Sequence, residues 1–437
     1  MYSGWVSSRR IDAGVPNPIG RRRAELAAAG VELTDMTDTN PTRHGLFDPA
    51  VLEVVAGQLA RAGRYEPSPR GPWPARAALA ERYGGEPDDY WLTASTSEAY
   101  GWLFMLLADP GEAVAIPSPG YPLIEPLARL HGLSTRNFRT FYVHPTGWES
   151  DLDHFDSVLS DQSVRAVVAV NPNNPTGAYA EVAVRDLAAE HGLPLIADEV
   201  FFPFRLSVDP IPQTPDSVAA QSSMGDRADG DTDHRDNHHR GRPGFGGCAH
   251  NDGGGRTDRA VRLSGGGCGL TFGLDGLSKL LAAPQLKLGW IRLSGPEPYK
   301  HRTAQALDQI ADTYLSVNTP VALALPELLT MADDSIIRIS NRLRANLALA
   351  KAIFGDLRIR TTYGGWMMLL DAPPIANADT LGVALMDRAG LYVHPGYFYD
   401  LPDSTLAISL LPRSSVFEES CRRLSAALTV FASEEPA

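Results

Sequence analysis

The chain has 437 residues, more than one hydrophobic core usually fills, so two domains are expected. Its 43% hydrophobic content supplies a large core, and its formal charge of -13 lacks the basic footprint of a nucleic-acid binder. Three cysteines (Cys248, Cys268 and Cys421), odd in number and widely spaced, imply neither a disulfide framework nor a zinc pattern, so a reducing cytoplasmic setting is expected. No apolar run follows the first residues, and no stretch of about 18 apolar residues occurs, so neither a secretory signal nor a membrane span is expected.

In chain order, the spacing of Leu52, Val55, Leu59 and Ala62 predicts a helix over 48–64. A Pro- and Gly-rich loop over 67–74 follows, then a helix over 75–83. An apolar helix over 97–107 starts within Ser95-Thr96-Ser97, and a short strand covers 113–117. A continuous apolar strand over 164–170 runs into the turn-rich Asn171-Pro172-Asn173-Asn174-Pro175-Thr176-Gly177. A helix over 183–191 and a strand over 193–197 lead to Asp198. Strands alternating with helices predict a mostly parallel sheet covered on both faces, with ligands at the C-terminal strand ends. Asn174 and Asp198 both lie just past such ends.

Residues 207–267 are rich in Gly, Asp, Arg, Ser and His and poor in large apolar side chains. Such a segment cannot offset its ordering entropy, so a loosely held insertion is expected. The spacing of His234, His238, His239 and His250 matches no metal-ligand pattern, and no metal is expected. The strand pattern resumes over 270–274, just before Gly276-Leu277-Ser278-Lys279. Helices are predicted over 307–315, 321–329 and 336–353, with Pro320 separating the first two. Short strands near 366–370 and 406–410 and a closing helix over 416–431 predict a smaller α+β unit. The expected division is 1–47 joining the small domain, 48–325 as the large domain, and 326–437 as the small domain.

Taken in order, Tyr65, Asn174-Pro175-Thr176-Gly177, Asp198-Glu199-Val200-Phe201 and Gly276-Leu277-Ser278-Lys279 resemble the class I/II aminotransferases, fold type I enzymes dependent on pyridoxal 5'-phosphate (PLP). The likeness runs along nearly the whole chain outside the insertion. It implies an α/β fold with a large PLP-binding domain, and a homodimer with shared active sites.

PLP is an electron sink that the protein binds, orients and tunes. The resemblance implies that Lys279 holds the cofactor as a Schiff base and moves a proton when the substrate amine displaces it. It gives Asp198 the role of keeping the pyridine nitrogen protonated, and Asn174 that of donating to the phenolic oxygen. Many relatives add a tyrosine three residues after the aspartate, where this chain has Phe201. Losing that hydrogen bond should raise the pKa of the lysine–cofactor linkage. Tyr121 matches the residue that stacks on the ring. Thr96 and Ser97 open a helix and suit a phosphate, with Ser278 adding a donor. Relatives often carry an arginine eight residues after the lysine, where Lys287 stands here as a point charge without a fork. Tyr65 matches a tyrosine that reaches the neighbouring subunit's phosphate, and Thr319 is a further interface candidate.

On the substrate side the pattern departs from the family. Ala407, in Leu406-Ala407-Ile408-Ser409, stands where an arginine usually binds the substrate carboxylate. Arg413 and Arg43 are candidate replacements. Asn40, Trp366 and Tyr397 are pocket candidates, because Gly364-Gly365-Trp366 and His394-Pro395-Gly396-Tyr397-Phe398 resemble substrate segments of a bacterial subgroup that lacks that arginine. The expected function is transamination between a small-molecule amine donor and a keto-acid or carbonyl acceptor. A lyase, decarboxylase, oxidase or carbon–carbon bond-forming reaction on the same fold is the alternative. A non-catalytic PLP-sensing module is the third reading.

Overall fold

The computed structural model describes residues 8, 10–11, 14–207, 260–315, 317–373 and 377–434. Its centre is an eight-stranded sheet. In chain order the strands are β1 (Tyr90–Thr93), β2 (Ala113–Ser118), β3 (Ser134–Val143), β4 (Gly147–Ser150), β5 (Val164–Val170), β6 (Leu195–Asp198), β7 (Thr271–Gly276) and β8 (Gly289–Ser294). They lie in the order β1-β8-β7-β6-β5-β2-β3-β4. The five strands from β7 to β3 run parallel, while β1, β8 and β4 pair antiparallel at the two sides. Strands β5, β6 and β7 are almost wholly buried, which explains their continuous apolar sequences.

One face is covered by α4 (Thr96–Leu107) and α8 (Tyr299–Tyr314), through Trp102, Phe104, Leu307 and Ala311. The other is covered by α6 (Leu152–Leu159) and α7 (Val182–Glu190), through Phe155, Val184 and Leu187. Helices α2 (Ala50–Gly57), α3 (Trp73–Tyr83) and α9 (Thr319–Thr330) form a flanking layer under β1 and β8. The long apolar pattern expected over 48–64 splits into α2 and a 3-10 turn at Arg61–Gly63. Gly57 and Gly63 lie at these breaks, where glycine weakens a continuous helix.

The second unit has a three-stranded antiparallel sheet of Met367–Asp371 (β9), His394–Pro395 (β10) and Thr405–Ser409 (β11), with β11 central. Helices α10 (Ala332–Phe354) and α12 (Ser414–Glu434) pack on it. Thr34–Asp35 pairs in parallel with Leu391–Tyr392, so the N-terminal segment is joined to this unit.

Of the expected loose segment at 207–267, residues 208–259 lie outside the described residues, as do His234, His238, His239, His250 and Cys248. Residues 260–262 are half-buried and Leu263 and Ser264 buried, while Gly265, Gly266 and Gly267 are exposed. Cys421 is free and buried, whereas Cys268 is disulfide-bonded. The wide cysteine spacing does not announce that bond. Among the described residues no helix is long and apolar enough to cross a membrane, and no group of three metal-ligating side chains gathers.

Candidate active site

The C-terminal ends of β2, β5, β6 and β7 deliver four chain segments to one place. Register brings Asp198 beside Val170 on one side and Leu274 on the other. After β7 the chain makes one helical turn, Leu277–Leu280. Leu277 and Leu280 are buried below it, which leaves Ser278 and Lys279 half-buried. This placement follows from the alternation of apolar and polar residues in Leu-Ser-Lys-Leu.

Asp198 is buried and accepts hydrogen bonds from Tyr100 Oη at 3.1 Å and from the Val200 N–H at 3.3 Å. Burial pushes its carboxyl up to about 6, against the pull of those two bonds and of Lys279. Burial also brings the Lys279 ammonium down to about 8, with Asp198 opposing the shift. Lys279 Nζ lies 4.8 Å from the centre of the Trp366 ring and 5.3 Å from that of Phe201. Phe201 and Phe204 meet Trp366 edge-on at 5.4 and 5.2 Å. The amine therefore sits against an aromatic wall, at the end of the strand next to the one that carries the buried Asp198.

Asn174 is half-buried in the loop after β5. Asn173 fixes that loop by accepting from Thr176 Oγ1 at 3.1 Å, and the Gly177 N–H donates to the Asn173 carbonyl at 2.8 Å. Gly177 has φ +68, and a Cβ there would lie 1.9 Å from Thr362 Oγ1 and 2.5 Å from the Gly364 carbonyl. Only glycine allows this close approach. It lets the Gly177 carbonyl accept from the Tyr363 and Gly364 N–H groups, which carries Trp366 towards Lys279. Tyr121 is half-buried, and its hydroxyl is pushed up by burial and by the nearby Asp198 charge. Thr96 and Ser97 form the first turn of α4, capped by Ser95 Oγ, which accepts from the Glu98 N–H at 3.1 Å. Lys287 is exposed and left-handed in backbone, with φ 52. Tyr65 is 62% exposed, and Thr319 is the first residue of α9.

The substrate candidates are scattered. Trp366 is buried at Lys279. Asn40 is half-buried, and its side-chain oxygen accepts from the Thr42 N–H and Oγ1 within its own turn. Tyr397 points to the surface, donating to Asp379 Oδ1 at 2.6 Å and accepting from Asn17 Nδ2 at 3.0 Å. Arg413 is exposed, 3.5 Å from the place a Gly45 Cβ would take, and Arg43 pairs with Asp38 at 3.4 Å. Ala407 is fully buried among Trp148, Met367, Leu369, Tyr399 and Leu401.

Residues 60–220 match the family model for aminotransferase class I and II. That stretch resembles the family, and the rest of the chain lies outside the match. The chain is 31% identical to the alanine aminotransferase of Mycobacterium tuberculosis (strain H37Rv) over 199 residues, which are 43% of this chain and 46% of that protein. It is 27% identical to an S-alkyl-thiohydroximate lyase of Arabidopsis thaliana over 306 residues, 67% of this chain and 54% of that one. The matches thus span about half the length of these curated relatives. The fold superposes on an alanine aminotransferase from Pyrococcus furiosus with a TM-score of 0.76 at 21% identity, covering 97% of this chain and all of the other. The α/β architecture is that of the type I PLP-dependent transferases.

Members of the class I/II aminotransferase family use PLP, and the residues present fit it. A lysine brought down to about 8 is far better placed to react with an aldehyde than a surface lysine. A buried carboxylate faces it, a helix N-terminus with two hydroxyls suits a phosphate, and aromatic rings flank the amine. Lys279 would carry the cofactor, with Asp198, Asn174 and Tyr121 around its ring and Thr96, Ser97 and Ser278 at its phosphate.

Two site residues escaped sequence reasoning. Tyr100 reads as one more core position of an apolar helix, and only the fold turns its hydroxyl onto Asp198. Phe204 lies beyond the recognised motif. No spacing signal marks either residue.

Proposed function

We propose that this chain is a PLP-dependent aminotransferase that moves an amino group from a small-molecule amine donor to a keto-acid or carbonyl acceptor. The observation that carries this reading is the placement of the buried Asp198 and of Lys279 at the C-terminal ends of the neighbouring strands β6 and β7, with Lys279 Nζ against Trp366 and Phe201. Bound PLP supplies an electron sink for the carbon that bears the amine. Lys279 Nζ, brought near neutrality, attaches the cofactor and, once displaced, is the base placed to take and return a proton. Asp198 would hold the proton on the ring nitrogen. Tyr100 and the Val200 N–H keep its carboxylate aimed. Phe201, Phe204 and Trp366 exclude water from the amine.

The proposal includes a homodimer. Tyr65, Trp73, Leu59 and Leu52 are exposed apolar or aromatic side chains on and around α2 and α3, a surface suited to a second copy. It also places the chain in the cytoplasm, and the Cys268 disulfide is the observation that weighs against that compartment.

The test is a screen of amine donors against keto acids with PLP-loaded protein. Keto product and new amine in equal amounts, without ammonia, is the expected result. Ammonia release would instead support a lyase, a reading favoured by the likeness to the thiohydroximate lyase and by the absence of an arginine at Ala407. Failure of wild-type protein to bind PLP at all would sink both.

A further inference from the structure

Behind the cofactor pair lies a buried charged cluster that the reaction above does not use. Glu199, next to Asp198, is 1% exposed. It accepts from the Leu263 N–H at 2.7 Å, the Ser264 N–H at 3.4 Å, Ser264 Oγ at 2.5 Å, Asn171 Nδ2 at 3.4 Å and Arg262 Nη1 at 3.0 Å. Asp275, four residues before Lys279, is 3% exposed. Its Oδ1 accepts from the Gly276 N–H at 2.8 Å. Its Oδ2 has no hydrogen-bond partner and lies 3.6 Å from Arg262 Nη2.

Arg262 thus spans two carboxylates on adjacent parallel strands. Its guanidinium stacks 4.4 Å over Phe202 and 5.1 Å over Tyr83. Gly273 makes room for this segment, since a Cβ there would lie 2.4 Å from the Ser264 Cβ. Tyr83 and Arg292 line the same cavity as Asp275.

The residues around the site divide by charge. Asp198, Glu199 and Asp275 are acids, while Lys279, Arg262 and Arg292 are cations, and the hydroxyls of Tyr83, Tyr100 and Tyr121 face them. Buried charges persist only when paired, so the balance depends on Arg262. Glu199 pushes the Asp198 carboxyl up, and Asp198 in turn pushes Asp275 up. Glu199 adjoins Asp198 in the chain, and Asp275 follows Leu274, the register partner of Asp198, so the charge behind the strands stands one residue from the proposed cofactor acid.

We propose that Arg262 is a positioning residue for the cofactor site: by clamping Glu199 and Asp275 it sets the charge balance behind Asp198 and Lys279, and through it the protonation of the lysine–cofactor group. This rests on the reading of Lys279 as the PLP lysine.

The experiment titrates PLP into cofactor-free wild-type, Arg262→Gln, Arg262→Lys and Asp275→Asn proteins. It then follows the visible absorbance of bound cofactor against pH, together with thermal unfolding. Loss of the cation should raise the pH midpoint of that absorbance by about one unit. Loss of the Asp275 charge should lower it, by up to about one unit. Arg262→Lys should fall between wild type and Arg262→Gln. Opposite shifts are the signature, because a merely structural role would lower the melting temperature and leave the midpoints alone. Unchanged midpoints, or shifts in the same direction, would overturn the proposal. Should Arg262→Gln fail to fold, the near-isosteric Asp275→Asn decides alone. Wild-type protein that binds no PLP would overturn the site reading itself, a distinguishable result.

Discussion

The cofactor side and the substrate side of this site are built in different ways. On the cofactor side, polar groups are buried and answered by specific partners. Asp198 has Tyr100 and the Val200 N–H, and Lys279 has two aromatic rings. On the substrate side, the place of the family's arginine is closed by apolar packing of Ala407 against Trp148, Met367, Leu369 and Tyr399. Arg360, whose guanidinium lies 5.5 Å over Trp148, is held by Asp371 at 2.8 Å. Arg413 is exposed beside Gly45, and Arg43 is engaged by Asp38. In the proposed site, one cofactor would impose one set of contacts, while the substrate pocket would be free to change its chemistry.

The largest effect expected is at Lys279. Lys279→Ala should remove the visible absorbance of bound cofactor and lower turnover by at least about 10⁴-fold, the upper range for losing a positioned base. Spectra and single-turnover assays check this together. Retained absorbance would break the cofactor side of the comparison outright. Next comes Asp198→Asn, expected to cost about 10²-fold in rate by the lower end of the same range. This variant also has a pH signature in the cofactor-free protein. The folded carboxyl titrates at about 6 rather than 3.8, so folding gains from its proton below 3.8 and loses that gain as pH rises through 6. The variant's stability relative to wild type should therefore rise between those values. Denaturant midpoints across that window measure it, and a flat difference would mean that Asp198 is not desolvated.

The same contrast explains what could be read in advance. The strand at Val164–Val170 coincides with its apolar β-branched run, because burial on both faces demands such a sequence. The strand Ser134–Val143, next to the edge strand β4, was not expected. Its Arg136, Asn137 and Arg139 break the apolar run, since much of this strand faces solvent. The helix predicted over 307–315 begins earlier, at Tyr299, on a polar face that carries little periodic signal. Lys279 and Asp198 could be singled out because each stands in a short motif at the end of a buried strand. Tyr100 and Arg262 could not, because each acts across the fold from a position that looks ordinary in one dimension. Arg262 sits in a glycine-rich stretch whose composition suggests looseness, yet Leu263 and Ser264 beside it are buried.

The substrate side offers a direct test. Ala407→Arg would restore the family residue in a cluster that has no room for it. Overpacking and an unpaired buried charge should cost about 3 kcal/mol of stability, read as a lower denaturant midpoint. It should bring no tighter binding of carboxylate-bearing amines. A variant of wild-type stability with improved affinity for such amines would show that the apolar cluster yields easily, and the contrast would collapse. Tyr100→Phe is expected to act more mildly. It removes a bond to a carboxylate worth about 1.5–3 kcal/mol, and the Asp198 carboxyl should move further up because that bond holds it down. Weaker PLP binding, measured by equilibrium titration, should accompany the shift.

The smallest effect should come from Tyr397. The sequence motif around it suggests a pocket residue, but the structure turns its hydroxyl to Asp379 and Asn17 at the surface. Tyr397→Phe removes only these exposed bonds, so it should lower stability by no more than about 1 kcal/mol. Kinetics discriminate better than stability here. If the ring merely ties the helix Ala378–Ala389 to the N-terminal Asn17, KM for every amine donor should stay within about twofold of wild type, a change below 0.5 kcal/mol. A larger rise in KM confined to particular donors would mean that Tyr397 swings inward when substrate binds. The substrate side would then be a pocket that assembles on closure, in contrast to a cofactor side already built.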